Sequence, residues 1–593
     1  MKTFFSKKKN RILSGLMISF LIIVSIFIAG KPSRFSQNSR FERFTRKLFE
    51  DEICSNTLNL HYTLAYPQKY GIKDYKISLG TMDPEILKQS GAALDTLKQK
   101  LERFSRDELS KENQIIYDML LLDISLQSSV REQYLFQEPL GPNLGIQAQL
   151  PTLLAEYTFR VPKDIKDYFS LLSCIPEYFD SILKFEKEKS EQGLFMSDAT
   201  AERIIQQCNT FVSEKKNHFL TSMFTEKLDT LTSGHVITKK QASSYKTMHE
   251  KLMKESVFPS YESLARGLEK LKGTGKNSGG LAYLDGGKQY YEYLVKNSTG
   301  DFRTIKEIEQ DLSTQLLRDY QVIHNLQQKD PEILSKASGI PASSPYSPQE
   351  MLDYLNQNIH HDFPKLTVKD YEIKYVPKAL EQFSSPAFYL TPPLDTLSPN
   401  TIYINKTSQV SCAELFTTLA HEGFPGHLYQ TLYFGKQNPA PIREFLGCSG
   451  YIEGWATYVE SLAYGYAAQF LNIEPDVMEF LNRNRSVNLC LYSLLDIGIH
   501  HKGWTLPEVI KTLSSLGIPS EDTCKEIYQY IVENPANYLK YYLGYLNFIH
   551  LREQMEQQEG SRFDLKTFHQ NLLEIGPAPF PIVKKYLLLR YTE

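Results

Sequence analysis

From about residue 56 to 330, apolar side chains recur every three to four positions. "PEILKQSGAALDTLKQKLERF" and "KENQIIYDMLLLDISLQSSV" both carry this spacing, which predicts half-buried helices. "KDIKDYFSLLSCIPEYFDSILKFEKEKSEQG" predicts two helical stretches parted near Pro176, because an interior proline removes a helix hydrogen bond. "ATAERIIQQCNTFVSEKKNHFL" and the stretch from Ser244 to Gly273 extend the helical pattern. Glycine density in "GTGKNSGGLAYLDGGKQYYEYLVKNSTG" (273–300) predicts an ordered loop or small hairpin. A Pro/Ser-rich segment at 336–350 is a second break. "LTVKDYEIKYVP" and "NTIYIN" then alternate with period two, as strands do. Helical spacing resumes after Ser411 and runs to the end, with no internal repeat. The fold class expected is therefore mainly α: a large helical body over 56–593, with a first half (56–335), a second half (336–593) and a small β element.

The chain has 593 residues, enough for a large core. A formal net charge of -3 argues against a nucleic-acid partner, which calls for a strong basic excess. Seven cysteines are scattered without a Cys-x-x-Cys pair, and an odd number cannot all pair within the chain. Most read as core residues. At the N-terminus, Lys7, Lys8, Lys9 and Arg11 precede the uncharged run 12–30. About 20 apolar residues span a bilayer, and the basic flank keeps residues 1–11 in the cytoplasm. A single-pass membrane anchor with an extracytoplasmic body is the expectation; a cleaved signal peptide and secretion is the alternative. Residues 31–55 read as a polar, basic linker.

The chemistry concentrates in "LFTTLAHEGFPGHLYQ" (415–430). Ser411-Cys412-Ala413-Glu414 forms a capping-box pattern that starts a helix near Cys412. Two histidines four apart on a straight helix chelate one zinc ion, and the glutamate between them serves as general base. Here His421 and His427 are six apart, about 240° round a regular helix at ~100° per residue. Pro425 breaks the helix and Gly426 frees the backbone, so a bend could return His427 to the side of His421. The plain alternative is that the helix ends there and His427 opens a loop. "GYIEGWATYVESLAYGYAAQF" predicts a further helix from about Tyr451, with Glu453, Thr457 and Glu460 on one face. Glu453 would complete a His-His-Glu set; the plain alternative makes Glu453 and Glu460 solvated charges.

These segments, with "NPANYLKYYLGYLNFIHLREQ" near the C-terminus, resemble the bacterial DUF885 family with its His-Glu-x-x-Pro-Gly-His signature, and more distantly the mostly helical gluzincin peptidases. "LDGGKQYYEYLVKNSTG", "DIGIHHKGWTLPEVIKTL" and "TIYIN" extend the resemblance over most of 55–590. It implies a zinc peptidase in which His421, His427 and Glu453 hold Zn²⁺ and Glu422 is the general base. Tyr541 would steady the oxyanion. Asn537 and Tyr542 depart from the Gln and Lys of the family pattern. The strand "TIYIN", with Tyr403 and Asn405, would receive an extended peptide substrate along its edge or serve equally as scaffold, and Arg552 would meet a substrate carboxylate or pair with a buried acid. His500, His501 and Trp504 match family positions, with packing the expected role. A member of the fold that binds peptides without cutting them, and an amide hydrolase acting on cell-wall peptides, stand as alternatives.

Overall fold

The computed structural model describes residues 36–592, save 214, 216–217, 278, 369, 377–380, 382–384 and 519. The apolar run 12–30 lies outside the described residues; among those described, no helix is long and apolar enough to cross a membrane.

The body is helical. Helix α1 (Gln37–Ser55) replaces most of the expected 31–55 linker, and Ser36 caps it by accepting the Ser39 N–H. Its dense charges hide a buried stripe of Phe41, Leu48, Phe49 and Ile53. Helix α2 (Lys111–Ser128) follows, then α3 (Pro162–Glu191), which is continuous through Pro176 where a break was expected. Ile175, Tyr178 and Phe179 are buried on either side of Pro176, so packing outweighs the one lost hydrogen bond. The glycine-dense segment is a loop only as far as Gly286; α4 (Gly287–Thr299) begins next, with Tyr290, Tyr291, Tyr293 and Val295 buried. Helix α5 (Ile305–Lys329) follows.

Strands β1 (Glu372–Tyr375), β2 (Ala387–Leu390) and β3 (Thr401–Ile404) form one sheet in the order β1-β3-β2. The β1–β3 pairing is parallel and the β2–β3 pairing antiparallel. The helices of the site are α6 (Cys412–Glu422), α7 (His427–Lys436), α8 (Ser449–Leu471), α9 (Pro475–Ile497) and α10 (Leu539–Glu559).

Two large apolar cores divide the chain. The first gathers residues between Leu58 and Leu268, Leu150, Tyr168 and Leu264 among them. The second holds Phe416, Trp455, Leu543 and Leu572, together with Tyr291 of α4 and Ile308 of α5. The packing thus changes hands at the glycine-dense loop, ahead of the Pro/Ser-rich segment. All seven cysteines are thiols; Cys208, Cys412, Cys448, Cys490 and Cys524 are buried.

Helices α8 and α10 touch backbone to backbone. A Cβ on Gly454 would fall 2.3 Å from Gly544 C, and one on Gly544 would fall 2.0 Å from Gly450 O. No side chain larger than hydrogen fits this crossing. It fixes Glu453, beside Gly454, relative to Tyr541 near the start of α10.

Candidate metal centre

Helix α6 starts as its sequence dictates: Ser411 Oγ accepts the Glu414 N–H at 3.1 Å. It stops at Glu422. Gly423, Phe424, Pro425 and Gly426 form a tight turn with a cis Phe424–Pro425 peptide, and His427 is the first residue of α7. The outcome falls between the two expectations: the helix does not bend but ends, and a second helix starts at once. Gly426 N–H bonds Ala420 O at 3.0 Å, and Tyr429 N–H bonds Gly423 O at 3.1 Å. A Cβ on Gly426 would lie 1.9 Å from His421 O, so only glycine lets the turn fold back on α6. The indole N–H of Trp455 donates to Pro425 O at 3.0 Å, tying the turn to α8.

The turn brings the two imidazoles together. Their centroids lie 4.7 Å apart with ring planes at 87°. Glu453 Oε2 stands 3.6 Å from His427 Nε2 and 3.9 Å from His421 Nε2. One ligand atom from each residue fits within 4.8 Å of the other two, and all three residues are buried. Two ligands held 2.0–2.1 Å from a tetrahedral ion stand about 3.4 Å apart, so the spacing matches a shared cation better than a direct hydrogen bond. Two neutral imidazoles and one carboxylate are also the donor set of an open zinc site. The residues therefore fit the ion.

The surroundings orient these groups. His421 Nδ1 is 3.0 Å from Glu460 Oε2, which places the proton on Nδ1 and aims Nε2 at Glu453. Glu460 in turn accepts from Arg485 of α9, at 3.0 Å to Nη2. Burial pushes the Glu460 carboxyl up, but the Arg485 charge and the hydrogen bond from His421 outweigh it and hold the group at about 2. Glu422 Oε1 lies 4.0 Å from His421 Nε2, while its Oε2 accepts the Tyr389 N–H of β2 at 2.8 Å. The general-base candidate is thereby pinned at the edge of the site.

Tyr541 lies on α10, the third residue of that helix. Burial first, then the Glu453 and Glu422 charges, keep its phenol well above its ordinary value, so it remains a proton donor. Asp496 sets the turn before α10: it accepts the Ala536 N–H at 3.1 Å and the Tyr291 hydroxyl at 2.6 Å. Ala536 sits in the left-handed region, at φ 61°. Of the two departures from the family pattern, Tyr542 bonds Ser486 Oγ at 2.8 Å and Asn537 bonds Tyr530 Oη at 3.2 Å.

One expectation is corrected. Strand β3 pairs on both sides and offers no free edge to a peptide. Tyr403 stacks on Phe388 and donates to Glu156 at 3.3 Å, and Asn405 donates to Glu381 O at 2.8 Å. Arg552 gives its Nε to Glu556 at 2.7 Å, one turn along α10. His500 packs as expected, with ring nitrogens 3.2 Å from Leu281 N and 2.9 Å from Ile531 O. Glu460, Arg485 and Tyr389 are the residues the sequence reading gave no role. Glu460 alone left a trace, seven positions beyond Glu453 on the same helix face.

A family model described as "Bacterial protein of unknown function (DUF885)" matches residues 67–587. The chain belongs to the DUF885 family. No curated protein matches it. Among solved structures, one from Colwellia psychrerythraea, described as a "putative lipoprotein", superposes with a TM-score of 0.79 at 20% identity, covering 94% of this chain and 99% of its own. A second, from Shewanella oneidensis and described as "a putative lipoprotein of unknown function", has a TM-score of 0.63 at 16% identity, covering 92% and 99%. These likenesses concern the DUF885 fold.

Proposed function

We propose that this DUF885 protein is an extracytoplasmic, zinc-dependent hydrolase of peptide bonds. The observation that supports it is the convergence of His421, His427 and Glu453, with Glu422 Oε1 4.0 Å from His421 Nε2. His421, His427 and Glu453 would hold a zinc ion, which would supply Lewis acidity when bound. Glu422 takes the proton of the attacking water and delivers it to the leaving amine, a role that needs the fixed position Tyr389 N–H gives its carboxylate. The phenol of Tyr541 donates to the carbonyl oxygen as negative charge builds there. Glu460 and Arg485 act one step back, holding His421 in the tautomer that offers Nε2.

The extracytoplasmic placement rests on the sequence at 12–30, with its lysines before it. The lipoprotein description of the structural neighbours agrees with a membrane-associated life.

Metal analysis of the purified protein is expected to find one zinc per chain, removable by chelator with loss of hydrolysis of a peptide library. Glu422→Gln is expected to keep the metal and lose turnover. Zinc-free protein that still hydrolyses peptides, or Glu422→Gln protein with full turnover, contradicts the proposal.

A further inference from the structure

A cavity of about 450 Å³ is lined by residues of both cores, and none of His421, Glu422, His427, Glu453 or Tyr541 lines it. Its wall reaches the site through Ser449, one turn before Glu453 on α8, and through Lys540, the neighbour of Tyr541. On α1 and α2 the same wall carries two acids, Glu52 and Asp123. Glu52 occupies the buried face of α1 between Phe49 and Ile53 and is 6% exposed. Neither of its carboxylate oxygens has a hydrogen-bond partner. Among the described residues, the lysines of the wall, Lys296 and Lys540, leave both Glu52 oxygens without a partner, while Asp123 is hydrogen-bonded to Gln127. A buried, unpaired carboxylate is costly to a fold unless it serves a ligand or takes a proton. Glu52 favours the proton: burial first, then the Asp123 charge, push it up to about 8, and burial pushes Asp123 up to about 6.

Resting on the peptidase reading, we propose that Glu52 and Asp123 form an acidic subsite that receives a cationic group of the substrate, either a free α-ammonium or the ammonium of a basic side chain. The wall also carries Leu48, Leu94, Leu97 and Leu120, which cluster with Phe49 and Ile53, the neighbours of Glu52 on α1. That lining suits an ammonium on a carbon stem. It does not suit a hard divalent ion, which needs six or more oxygen ligands. A cation entering there completes the pairing that the fold leaves open and ionises Glu52. The subsite would therefore select substrates by charge at a distance from the scissile bond.

The test is calorimetric binding to zinc-loaded Glu422→Gln protein, which holds peptides uncut. The probes are Lys-Ala-Ala and norleucine-Ala-Ala, each with a free and with an acetylated N-terminus. Removing the recognised ammonium is expected to weaken binding by on the order of 10-fold or more. Loss on acetylation identifies the α-ammonium; loss on the lysine-to-norleucine change identifies the side chain. Adding Glu52→Gln or Asp123→Asn is expected to shrink that ratio to about threefold or less. Glutamine keeps the shape of Glu52 and removes only its ability to ionise against a cation, and asparagine provides the second, independent variant. Four peptides that bind alike, peptides that do not bind, or a ratio that survives both variants would overturn the subsite. Charge selectivity in binding, with no hydrolysis of any peptide of the library by zinc-loaded wild-type protein, would uphold the subsite while refuting the peptidase reading.

Discussion

His421 and His427 at the α6–α7 turn differ from His500, in the wide turn Gly498–Lys502 after α9, in what their ring nitrogens meet. Both regions are buried and both match the family pattern. His500 spends its two nitrogens on main-chain groups, Leu281 N and Ile531 O, and burial lowers its basicity to about 4. His569 is similar, with Asp362 O at 2.7 Å and the Tyr458 hydroxyl at 2.9 Å. His421 instead spends one nitrogen on Glu460 and turns the other toward Glu453, beside His427. A buried histidine whose nitrogens are satisfied by the main chain is a packing element. One held from behind by a carboxylate and facing further donors is built to coordinate.

The largest effect that tests this contrast is His427→Ala. It removes one of three donors, so zinc affinity should fall by more than the roughly 10–100-fold that changes behind the ligands cost, and hydrolysis should vanish; competition with a chromogenic chelator reads the affinity. Tyr541→Phe deletes a hydrogen-bond donor and not a ligand. Turnover should drop on the order of 10²-fold with zinc content unchanged. Glu460→Gln leaves the ligands in place but loosens His421, and zinc affinity should fall within the 10–100-fold range.

The same carboxylate gives a pH signature in the metal-free chain. Its folded value of about 2 lies below the ordinary 4.5, so its contribution to stability is present above pH 4.5 and fades as the pH falls toward 2. Urea unfolding of wild type and Glu460→Gln across that window should converge at the acid end.

The smallest effect on the site belongs to the other region. His500→Ala strands a buried N–H and C=O pair and should cost about 2–3 kcal/mol of folding stability, measured by urea unfolding, while zinc affinity stays as it was. Loss of zinc in His500→Ala, or its retention in His427→Ala, breaks the comparison.

Local chemistry made the core of the site legible in the sequence. Ser411 marks the start of α6, and Pro425-Gly426 marks its end. Glu453 stands on a helix whose partners are glycine and bulky apolar residues. What the sequence did not disclose depends on contacts far apart in the chain. Pro176 reads as a break, yet buried neighbours carry α3 straight through it. The charges of α1 mask its apolar stripe. Strand β2 spans only four residues, and nothing local says that the Tyr389 N–H would hold Glu422. Arg485 meets Glu460 across two helices. Glu52 and Asp123 look like surface charges until two helices close a cavity over them.

Anomalous diffraction at the zinc edge, from crystals of the zinc-loaded protein, tests the central claim most directly. The account predicts one peak about 2.0–2.2 Å from His421 Nε2, His427 Nε2 and a Glu453 carboxylate oxygen. A peak bound by other residues, or none at the α6–α7 turn in crystals that contain stoichiometric zinc, would contradict it.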